Sequence, residues 1–299
     1  TAVLMLYKHG DHILLTNDCY GGTYRLFNKI FANFGIDFSI IDTASVQSIE
    51  RAIQNNTKAV FIETPTNPLM KIADIASIAA LCRKNDLQLI VDNTFLTPYF
   101  QRPLDLGADI VIHSVTKYLA GHNDLLCGAV ITKEKELGEK IRFVQNATGS
   151  ILSPSDSWLL IRGLKTLAIR MEQHNKNAIQ VADWLCRQPH ISHVYYPGLS
   201  NHPGKAVHDK QASGYGGIIS FTVDDALLVP AILSKVRFIQ FAESLGGVES
   251  LITFPACQTH ADIPVEIRQD LGITDKLLRL SVGIENSRDI IADLAQSMQ

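Results

Sequence analysis

Two apolar runs of the sequence end in residues that can do acid–base or covalent chemistry. Residues 110–117 read Ile-Val-Ile-His-Ser-Val-Thr-Lys, and residues 87–92 read Leu-Gln-Leu-Ile-Val-Asp. Both runs have the composition of a buried strand, and in an α/β sheet ligands bind at the carboxyl ends of such strands. We therefore predict that Asp92, Ser114, Thr116 and Lys117 meet at one edge of a sheet.

A lysine and a carboxylate at neighbouring strand ends fit pyridoxal 5'-phosphate. The Lys117 amine would form a Schiff base with the cofactor's aldehyde, and Asp92 would keep the pyridine nitrogen protonated. The hydroxyls of Ser114 and Thr116 would donate to the phosphate. Spacing alone is equally compatible with a surface lysine and a helix-capping aspartate. The neighbouring motifs are needed to choose between this interpretation and a cofactor site.

Composition narrows the class of partner. The 299 residues include 27 basic and 30 acidic side chains, and a formal charge of −3 gives no electrostatic footprint for nucleic acid or an anionic membrane. The five cysteines are far apart, with no C-x-x-C pair, so neither a disulfide framework nor a zinc site is indicated. No apolar run approaches the roughly 18 residues that span a membrane. We expect a soluble cytoplasmic protein that binds a small molecule.

The elements that would position these residues alternate along the first part of the chain. Amphipathic stretches at 45–54 and 74–85 lie between strand-like runs, which is typical of βα units in a mainly parallel sheet. The expected strands are 11–16, 37–42, 58–64, 87–92, 109–114 and 127–132. This pattern predicts a large domain over residues 1–163. Residues 1–8 resemble the middle of a helix that has no N-terminal cap, so we expect upstream sequence to be missing.

The pattern changes after Lys133. Residues 134–146 and 156–187 are predicted to be helices, the second long enough to bridge two domains. Strands are then expected at 194–199, 216–223 and 277–283, with helices at 226–234 and 287–299. We interpret residues 164–299 as a smaller α+β domain whose boundary lies near Gly163.

Taken in order, six motifs resemble the trans-sulfuration family of pyridoxal-phosphate enzymes, the cystathionine γ-synthases, γ-lyases and β-lyases. They are YGGTYRLF (20–27), ETPTNP (63–68), VDNTF (91–95), HSVTKYLAGHND (113–124), AESLGGVESL (242–251) and LRLSVGIE (278–285). The resemblance covers essentially the whole chain and looks closest to bacterial cystathionine γ-synthases. It implies an aspartate-aminotransferase-like fold and a homo-oligomer, a dimer of dimers with shared active sites.

The resemblance also assigns roles to individual residues. Lys117 and Asp92 keep the roles inferred above, Tyr20 stacks on the cofactor ring, and Asn67 lies near the cofactor's phenolic oxygen. Ser114 and Thr116 match phosphate ligands. For the substrate, the matching positions are Arg279, Ser244, Arg25 and Glu243. Arg279 also stands mid-strand among leucines, where an unpaired charge is costly, so it should have a carboxylate partner.

Glu243 separates the branches of the family. The γ-acting members tend to carry an acid at this position, whereas several β-lyases carry an apolar or aromatic residue. The resemblance therefore favours γ-replacement, the addition of cysteine or sulfide to an O-acyl-homoserine. Cleavage of cystathionine by a γ-lyase or β-lyase is the alternative.

Other readings of the sequence stay open at this stage. The family's upstream segment, with a phosphate-binding turn and a tyrosine and arginine that enter the neighbouring subunit's site, has no counterpart here. An inactive scaffold is therefore one alternative. A nucleotide-binding protein is another, although neither G-x-G-x-x-G nor G-x-x-x-x-G-K-[ST] occurs. A metal site at His122, Asn123 and Asp124, or at His260 and Asp262, is not expected, because residues of one short loop do not converge on an ion.

Overall fold

The large sheet follows the alternation expected from the sequence. A computed structural model describes residues 1–261 and 264–299, so Asp262, weighed above with His260 as a metal ligand, lies outside the described residues. The six strands of this sheet are β1 (His12–Thr16), β2 (Asp37–Ile41), β3 (Thr57–Glu63), β4 (Gln88–Asp92), β5 (Ile110–Ser114) and β6 (Gly128–Thr132). Their order is β2-β1-β3-β4-β5-β6, with every pair parallel except β5 and β6. The predicted mainly parallel α/β sheet is confirmed.

Helices of the first half lie between these strands, except for the last helix, which follows β6. They are α1 (Gly21–Lys29), α2 (Val46–Ala52), α3 (Ile75–Lys84), the short α4 (Thr97–Phe100) and α5 (Lys135–Thr148). Ser45 caps α2 by accepting from the Ser48 N–H, and Asp74 caps α3 by accepting from the Ser77 N–H. Small polar residues at these positions satisfy N–H groups that have no partner inside the helix.

The four inner strands of the large sheet, β1, β3, β4 and β5, are largely buried, whereas the edge strands β2 and β6 are partly exposed. Leu14, Val60 and Ile62 pack in one apolar cluster with α3, whereas Ile13 and Phe61 pack in a second cluster on the opposite face. Successive residues of a strand point to opposite faces, so a strand covered on both sides must be apolar at nearly every position. This requirement explains why the runs were visible in the sequence.

The second sheet lies in the C-terminal part. Its strands are β7 (Ile191–Tyr195), β8 (Ile218–Val223), β9 (Gln240–Phe241), β10 (Leu251–Thr253) and β11 (Leu277–Ser281), in the order β7-β8-β11-β10-β9. Neighbours are antiparallel except β9 and β10. The predicted strand at 194–199 was placed three residues too late, and β9 and β10 were not predicted because two or three residues carry no readable periodicity.

One predicted helix is wrong in its extent. Residues 156–187 form two helices, α6 (Pro154–Leu164) and α7 (Leu167–Leu185), and not a single one. The Gly163 carbonyl at the end of α6 accepts from the Arg170 guanidinium at 2.9 Å and from the Thr166 hydroxyl at 3.1 Å. Arg170 is buried and also donates to the Tyr118 carbonyl at 2.7 Å. A tertiary contact therefore sets this break, close to the predicted domain boundary, which itself stays a prediction.

Four more helices lie in the C-terminal part of the chain, and one further expectation fails. They are α8 (Lys205–Gln211), α9 (Leu228–Lys235), α10 (Val265–Leu271) and α11 (Ser287–Ser297). Of these, α9 and α11 pack with α7 against the small sheet. The expected helix over residues 1–8 is a single 3-10 turn, Leu4–Leu6, whose Leu4 packs into the core of the large sheet. Within residues 1–261 and 264–299, no helix combines the length and apolar character needed to cross a membrane.

Candidate active site

A cavity of about 180 Å³ opens at the carboxyl ends of the large-sheet strands, with residues of the small sheet forming its other wall. Of the ten predicted site residues, the structure brings eight to the cavity wall. These are Tyr20, Asn67, Asp92, Ser114, Thr116, Lys117, Glu243 and Arg279. Ser244 contacts Lys117 directly, whereas Arg25 is exposed on α1 and is not among the lining residues.

Asp92 is held at the end of β4 by the residue two positions later. Its Oδ1 accepts from the Thr94 N–H at 3.0 Å and from the Thr94 hydroxyl at 2.5 Å. The same hydroxyl accepts from the Ser114 N–H at 2.8 Å, which ties the ends of β4 and β5 together. Burial raises the pKa of Asp92, while the two bonds from Thr94 partly oppose that rise.

Lys117 follows β5 within one turn and reaches the small-sheet wall. Its Nζ donates to the Ser244 hydroxyl at 3.3 Å. Burial, and next the positive charge of Arg279, lower the pKa of Lys117 to about 8, against a smaller opposing effect of Glu243. A drop from the usual 10.4 increases the free amine at neutral pH by a factor of roughly 200. Lys117 is thus suited to act as a nucleophile or base.

A close backbone approach holds Ser244 against Lys117. Gly246 has a φ of +76°, and a Cβ at this position would lie 2.8 Å from the Tyr118 nitrogen. Only glycine accepts both the left-handed backbone and this contact. The Gly246 N–H also donates to the Ser281 hydroxyl at 2.8 Å, which anchors the loop to β11.

Arg279 is 1 % exposed, on β11. Its Nη1 donates to the Asn67 Oδ1 at 2.9 Å, and its Nη2 donates to the Glu243 carbonyl at 2.9 Å and the Thr253 hydroxyl at 3.1 Å. The predicted carboxylate partner is not found among the described residues, because amide, carbonyl and hydroxyl oxygens take its place. Burial lowers the pKa of Arg279 to about 10, so the side chain is still a cation at neutral pH.

Tyr20 lies at the start of α1, with its side chain 51 % exposed. Its main-chain N–H donates to Glu63 Oε2 at 3.0 Å. A Cβ on Gly22 would lie 2.4 Å from the Tyr20 ring, so the glycine gives that ring its room. The structure therefore fixes Tyr20 by its backbone and leaves its ring at the cavity.

Asn67 connects three parts of the cavity wall. Its side-chain oxygen accepts from Arg279, and its carbonyl lies 3.1 Å from His260 Nε2. Because a carbonyl only accepts, Nε2 carries the hydrogen, and Nδ1 accepts from the Thr259 hydroxyl at 2.8 Å. Burial lowers the pKa of His260 to about 4, which keeps the ring neutral.

The predicted phosphate ligands, Ser114 and Thr116, both line the cavity, together with Thr94. The Thr116 hydroxyl donates to the Cys127 carbonyl at 3.2 Å and accepts from the Cys127 N–H at 3.0 Å. Thr116 would have to turn this hydrogen away from Cys127 to donate it to a phosphate.

With this geometry in hand, comparison with known proteins identifies the family. The family model described as Cys/Met metabolism PLP-dependent enzyme matches residues 1–299. The chain belongs to this family of pyridoxal-phosphate enzymes. The predicted trans-sulfuration family is thereby confirmed, with pyridoxal 5'-phosphate as its cofactor, and the nucleotide-binding and inactive-scaffold alternatives are not supported.

Curated relatives of this trans-sulfuration enzyme carry three different activities. It is 53 % identical to a cystathionine gamma-lyase of Bacillus subtilis, with 100 % of this chain and 79 % of that protein covered. It is 50 % identical to a cystathionine gamma-synthase/O-acetylhomoserine (thiol)-lyase of the same organism (99 % and 75 % covered) and 48 % identical to a cystathionine beta-lyase of Lactococcus lactis (100 % and 78 %). The specific reaction is not settled by these likenesses.

A solved structure agrees with the fold of this trans-sulfuration enzyme. The cystathionine gamma-lyase from Lactobacillus plantarum complexed with L-serine superposes with a TM-score of 0.98 at 48 % identity, covering 99 % of this chain and 78 % of that chain. The expected α/β fold of this enzyme class is therefore confirmed over nearly the whole chain.

The residues of the cavity suit the cofactor of this family of trans-sulfuration enzymes. Two buried polar atoms of lining residues, Glu63 Oε1 and Arg279 Nε, have no hydrogen-bond partner within the described chain. Buried polar atoms are rarely left unpaired, and those at a cavity wall are available to a polar ligand. A strand-end acid, a lysine with a lowered pKa and three hydroxyl side chains complete a donor set that fits pyridoxal phosphate.

Several lining residues of the enzyme were not singled out from the sequence. Glu63 and Thr94 stand inside the motifs ETPTNP and VDNTF, whereas Thr259 lies outside all six motifs. Only their place within a family motif could have pointed to Glu63 and Thr94, since a lone glutamate or threonine has no distinctive spacing. His122 and Asn123 of the weighed metal triplet bond within the protein, to the Ala120 carbonyl and to Glu249. No cluster of metal-binding side chains occurs in the described ranges.

Proposed function

We propose that this trans-sulfuration enzyme acts at the γ-carbon of homoserine-derived amino acids, and that γ-replacement by cysteine or sulfide is its main reaction. The observation that carries the proposal is the place of Glu243. This acid lines the cavity at an exposed position and raises the pKa of Lys117 against the effect of burial. Two relatives with γ-reactions in their names, at 53 % and 50 % identity, support the same assignment.

Binding of cofactor and substrate is divided between the two walls. On the large-sheet wall, Asp92 would face the pyridine nitrogen, Tyr20 would stack on the ring, Asn67 would lie at the phenolic oxygen, and Ser114 and Thr116 would donate to the phosphate. Bound pyridoxal phosphate supplies the electron sink for carbanion chemistry. On the other wall, Arg279 would bind the substrate α-carboxylate through the edge of its guanidinium that carries the Nε–H, since Nε has no partner within the described chain.

Lys117 is the group that moves protons. With a pKa of about 8, it can take the α-proton near neutral pH and then carry it as an ammonium group. Ser244, at 3.3 Å from Nζ, holds the amine near the point where α- and β-hydrogens of a bound amino acid would lie. Reaction at the γ-carbon needs a second proton transfer, at the β-carbon, whereas β-elimination needs only the first. A nearby carboxylate that stabilises the ammonium form of Lys117 favours the reaction with two proton transfers.

Replacing Glu243 by valine is expected to narrow the preference for γ-chemistry. We expect the ratio of kcat/KM for γ-replacement to kcat/KM for β-elimination to fall about tenfold. The variant removes the negative charge of Glu243, which favours the protonated form of Lys117. The measurement is product analysis with O-acyl-homoserine plus cysteine or sulfide, and with cystathionine alone. Glu243→Gln is the control that keeps the size of the side chain and removes only its charge.

The products from cystathionine distinguish the alternatives. γ-Elimination with water releases cysteine, 2-oxobutanoate and ammonia and is the second candidate, supported by the 53 % identical gamma-lyase. β-Elimination with water releases homocysteine, pyruvate and ammonia. If pyruvate and homocysteine dominate for the unaltered enzyme, with little γ-replacement at any thiol concentration, the proposed γ-specificity is wrong.

We also propose that the enzyme is a homo-oligomer with its interface beside the cavity. Large apolar side chains are exposed in the segment that runs from just before β6 to the first turn of α7, namely Leu126, Phe143, Ile151, Trp158, Ile161 and Ile169. Leu126, 83 % exposed, also lines the cavity. Such concentrations of exposed apolar surface mark protein interfaces, and a second copy of the chain is the partner expected in this family.

Ile161→Glu is expected to dissociate the assembly. A charge buried in an apolar interface has no partner and costs several kcal/mol, on the order of 3, so the sedimentation or light-scattering mass should drop to that of a smaller species. Leu227→Glu is the matched control, because Leu227 is equally apolar and 76 % exposed but lies beside α9. An unchanged mass for Ile161→Glu, or an equal drop for both variants, would rule out this interface.

A further inference from the structure

Glu63 is a buried carboxyl at the cavity that the roles above do not use. It ends β3, and in the register of the sheet it is the direct partner of Asp92 at the end of β4. Both side chains line the cavity, so two acids stand on the same face of adjacent strands. The ends of β3 and β4 therefore bring two adjacent carboxyls to the cavity, where the cofactor's pyridine nitrogen offers one cation.

The two oxygens of Glu63 have different surroundings. Oε2 accepts from the Tyr20 N–H at 3.0 Å, at the start of α1, where the Tyr20 side chain makes no capping bond of its own. Oε1 is buried and has no partner in the described chain. One oxygen thus fixes the backbone of the residue proposed to stack on the cofactor ring. The other is free to carry a hydrogen.

The charges around Glu63 are mostly negative. Asp92 on β4 and Asp18 after β1 face it, and Cys19 lies close enough to be influenced by it, while Arg279 on β11 is the positive group. Burial, and next the charge of Asp92, raise the pKa of Glu63 well above its usual range, although hydrogen bonds from the Tyr20 and Asn67 backbones partly oppose that rise. Two adjacent carboxylates with little water between them repel strongly, and one retained proton removes that repulsion.

We propose that Glu63 is a positioning residue that acts as a neutral acid: it keeps a proton beside Asp92, so that Asp92 alone presents a negative charge to the cofactor, while its second oxygen fixes Tyr20. This inference rests on the cofactor site proposed above. A neutral and an ionised Glu63 can be told apart by substitution, because glutamine has the shape and hydrogen bonding of a neutral acid but lacks the charge of a carboxylate. Glu63→Gln should preserve the site, and Glu63→Ala should not.

The first test uses the full chain without cofactor and follows thermal unfolding between pH 5 and pH 8. A native pKa raised above the unfolded value of about 4.3 means that folding retains a proton that the unfolded chain loses. The stability contributed by Glu63 is therefore present at low pH and is lost as pH rises toward the native pKa. Glu63→Gln removes this loss, so its Tm minus that of the unaltered chain should increase by roughly 2 °C per pH unit.

The second test measures the affinity for pyridoxal phosphate by its visible absorbance. We expect Glu63→Gln to bind within about threefold of the unaltered protein and Glu63→Ala to bind at least tenfold more weakly, because alanine leaves the Tyr20 N–H without its acceptor. Asp92→Asn, which removes the charge assigned to the cofactor, is expected to bind more weakly than Glu63→Gln.

Each outcome bears on one part of the inference. A Tm difference that does not vary with pH, or a loss of affinity of tenfold or more in Glu63→Gln, would show that Glu63 is ionised. Unchanged affinity in Glu63→Ala would remove its positioning role. Loss of turnover with intact cofactor binding and the expected pH dependence would count against the proposed reaction and not against the state of Glu63.

Discussion

Lys117→Ala is expected to lose covalent attachment of the cofactor and to lower turnover by at least about 10³-fold. Lys117 is the lysine that lines the cavity, its Nζ is held by Ser244, and its pKa is lowered to about 8. The variant should still bind pyridoxal phosphate reversibly through Asp92 and the hydroxyl side chains. Lys117→Arg should fail as well, because a guanidinium is neither a nucleophile nor a base near neutral pH.

The matched control is Lys133→Ala. Lys133 also directly follows a strand, β6, but it is exposed and does not line the cavity. We expect unchanged absorbance and unchanged kcat for this variant. Turnover of Lys117→Ala within tenfold of the unaltered enzyme would show that Lys117 is not the base.

Arg279→Lys is expected to lower kcat/KM for amino-acid substrates by roughly 30-fold to 10³-fold. The guanidinium is fully buried, has only neutral partners among the described residues, and has one nitrogen without a partner at the cavity wall. A lysine keeps the charge and cannot form the planar two-point contact with a carboxylate. The loss should be large for the amino acid and small for the corresponding amide, so the variant should discriminate less between them.

Arg170→Gln is the control, because it removes a buried arginine that lies away from the cavity. Arg170 is also buried and donates to carbonyls, those of Tyr118 and Gly163, but it is absent from the cavity wall. We expect it to lower the Tm without changing the ratio of acid to amide kcat/KM. If Arg279→Lys leaves that ratio unchanged, the α-carboxylate is bound elsewhere.

The parts of the fold that were predicted correctly are those whose information is local. The inner strands β1, β3, β4 and β5 are largely buried, so most of their positions are apolar and the runs stand out. Asp92 and Lys117 follow two such strands, and their meeting at one edge is a consequence of parallel pairing. Ser45 and Asp74 are the first residues of the two predicted amphipathic stretches, and in the structure each caps the helix that begins one residue later.

The parts that failed depend on contacts between distant residues. At the break between α6 and α7, Arg170 donates both to the Gly163 carbonyl and to the Tyr118 carbonyl, 52 positions away, and the periodicity of residues 156–187 does not reveal this contact. The Lys117–Ser244 contact joins residues 127 positions apart. It was available only from the family resemblance, because propensity and spacing carry no information over such a separation.

The charge environments of Arg279 and Glu63 also depend on residues that are distant in the sequence. The sequence suggested that a cation among leucines needs a carboxylate, but the structure gives Arg279 an amide, two carbonyls and a hydroxyl. Glu63 was part of a quoted motif without a role, since its significance depends on its register with Asp92. A single sequence does not display the register between two strands.

The identity of the lysine that carries the cofactor is the most direct test of this account. The protein loaded with pyridoxal phosphate is reduced with borohydride, digested, and analysed by mass spectrometry for the peptide that carries the added mass. We predict one modified site, Lys117, within the sequence HSVTKYLAGHND. Modification at any other lysine, with Lys117 unmodified, would contradict the assignment of this cavity as the active site.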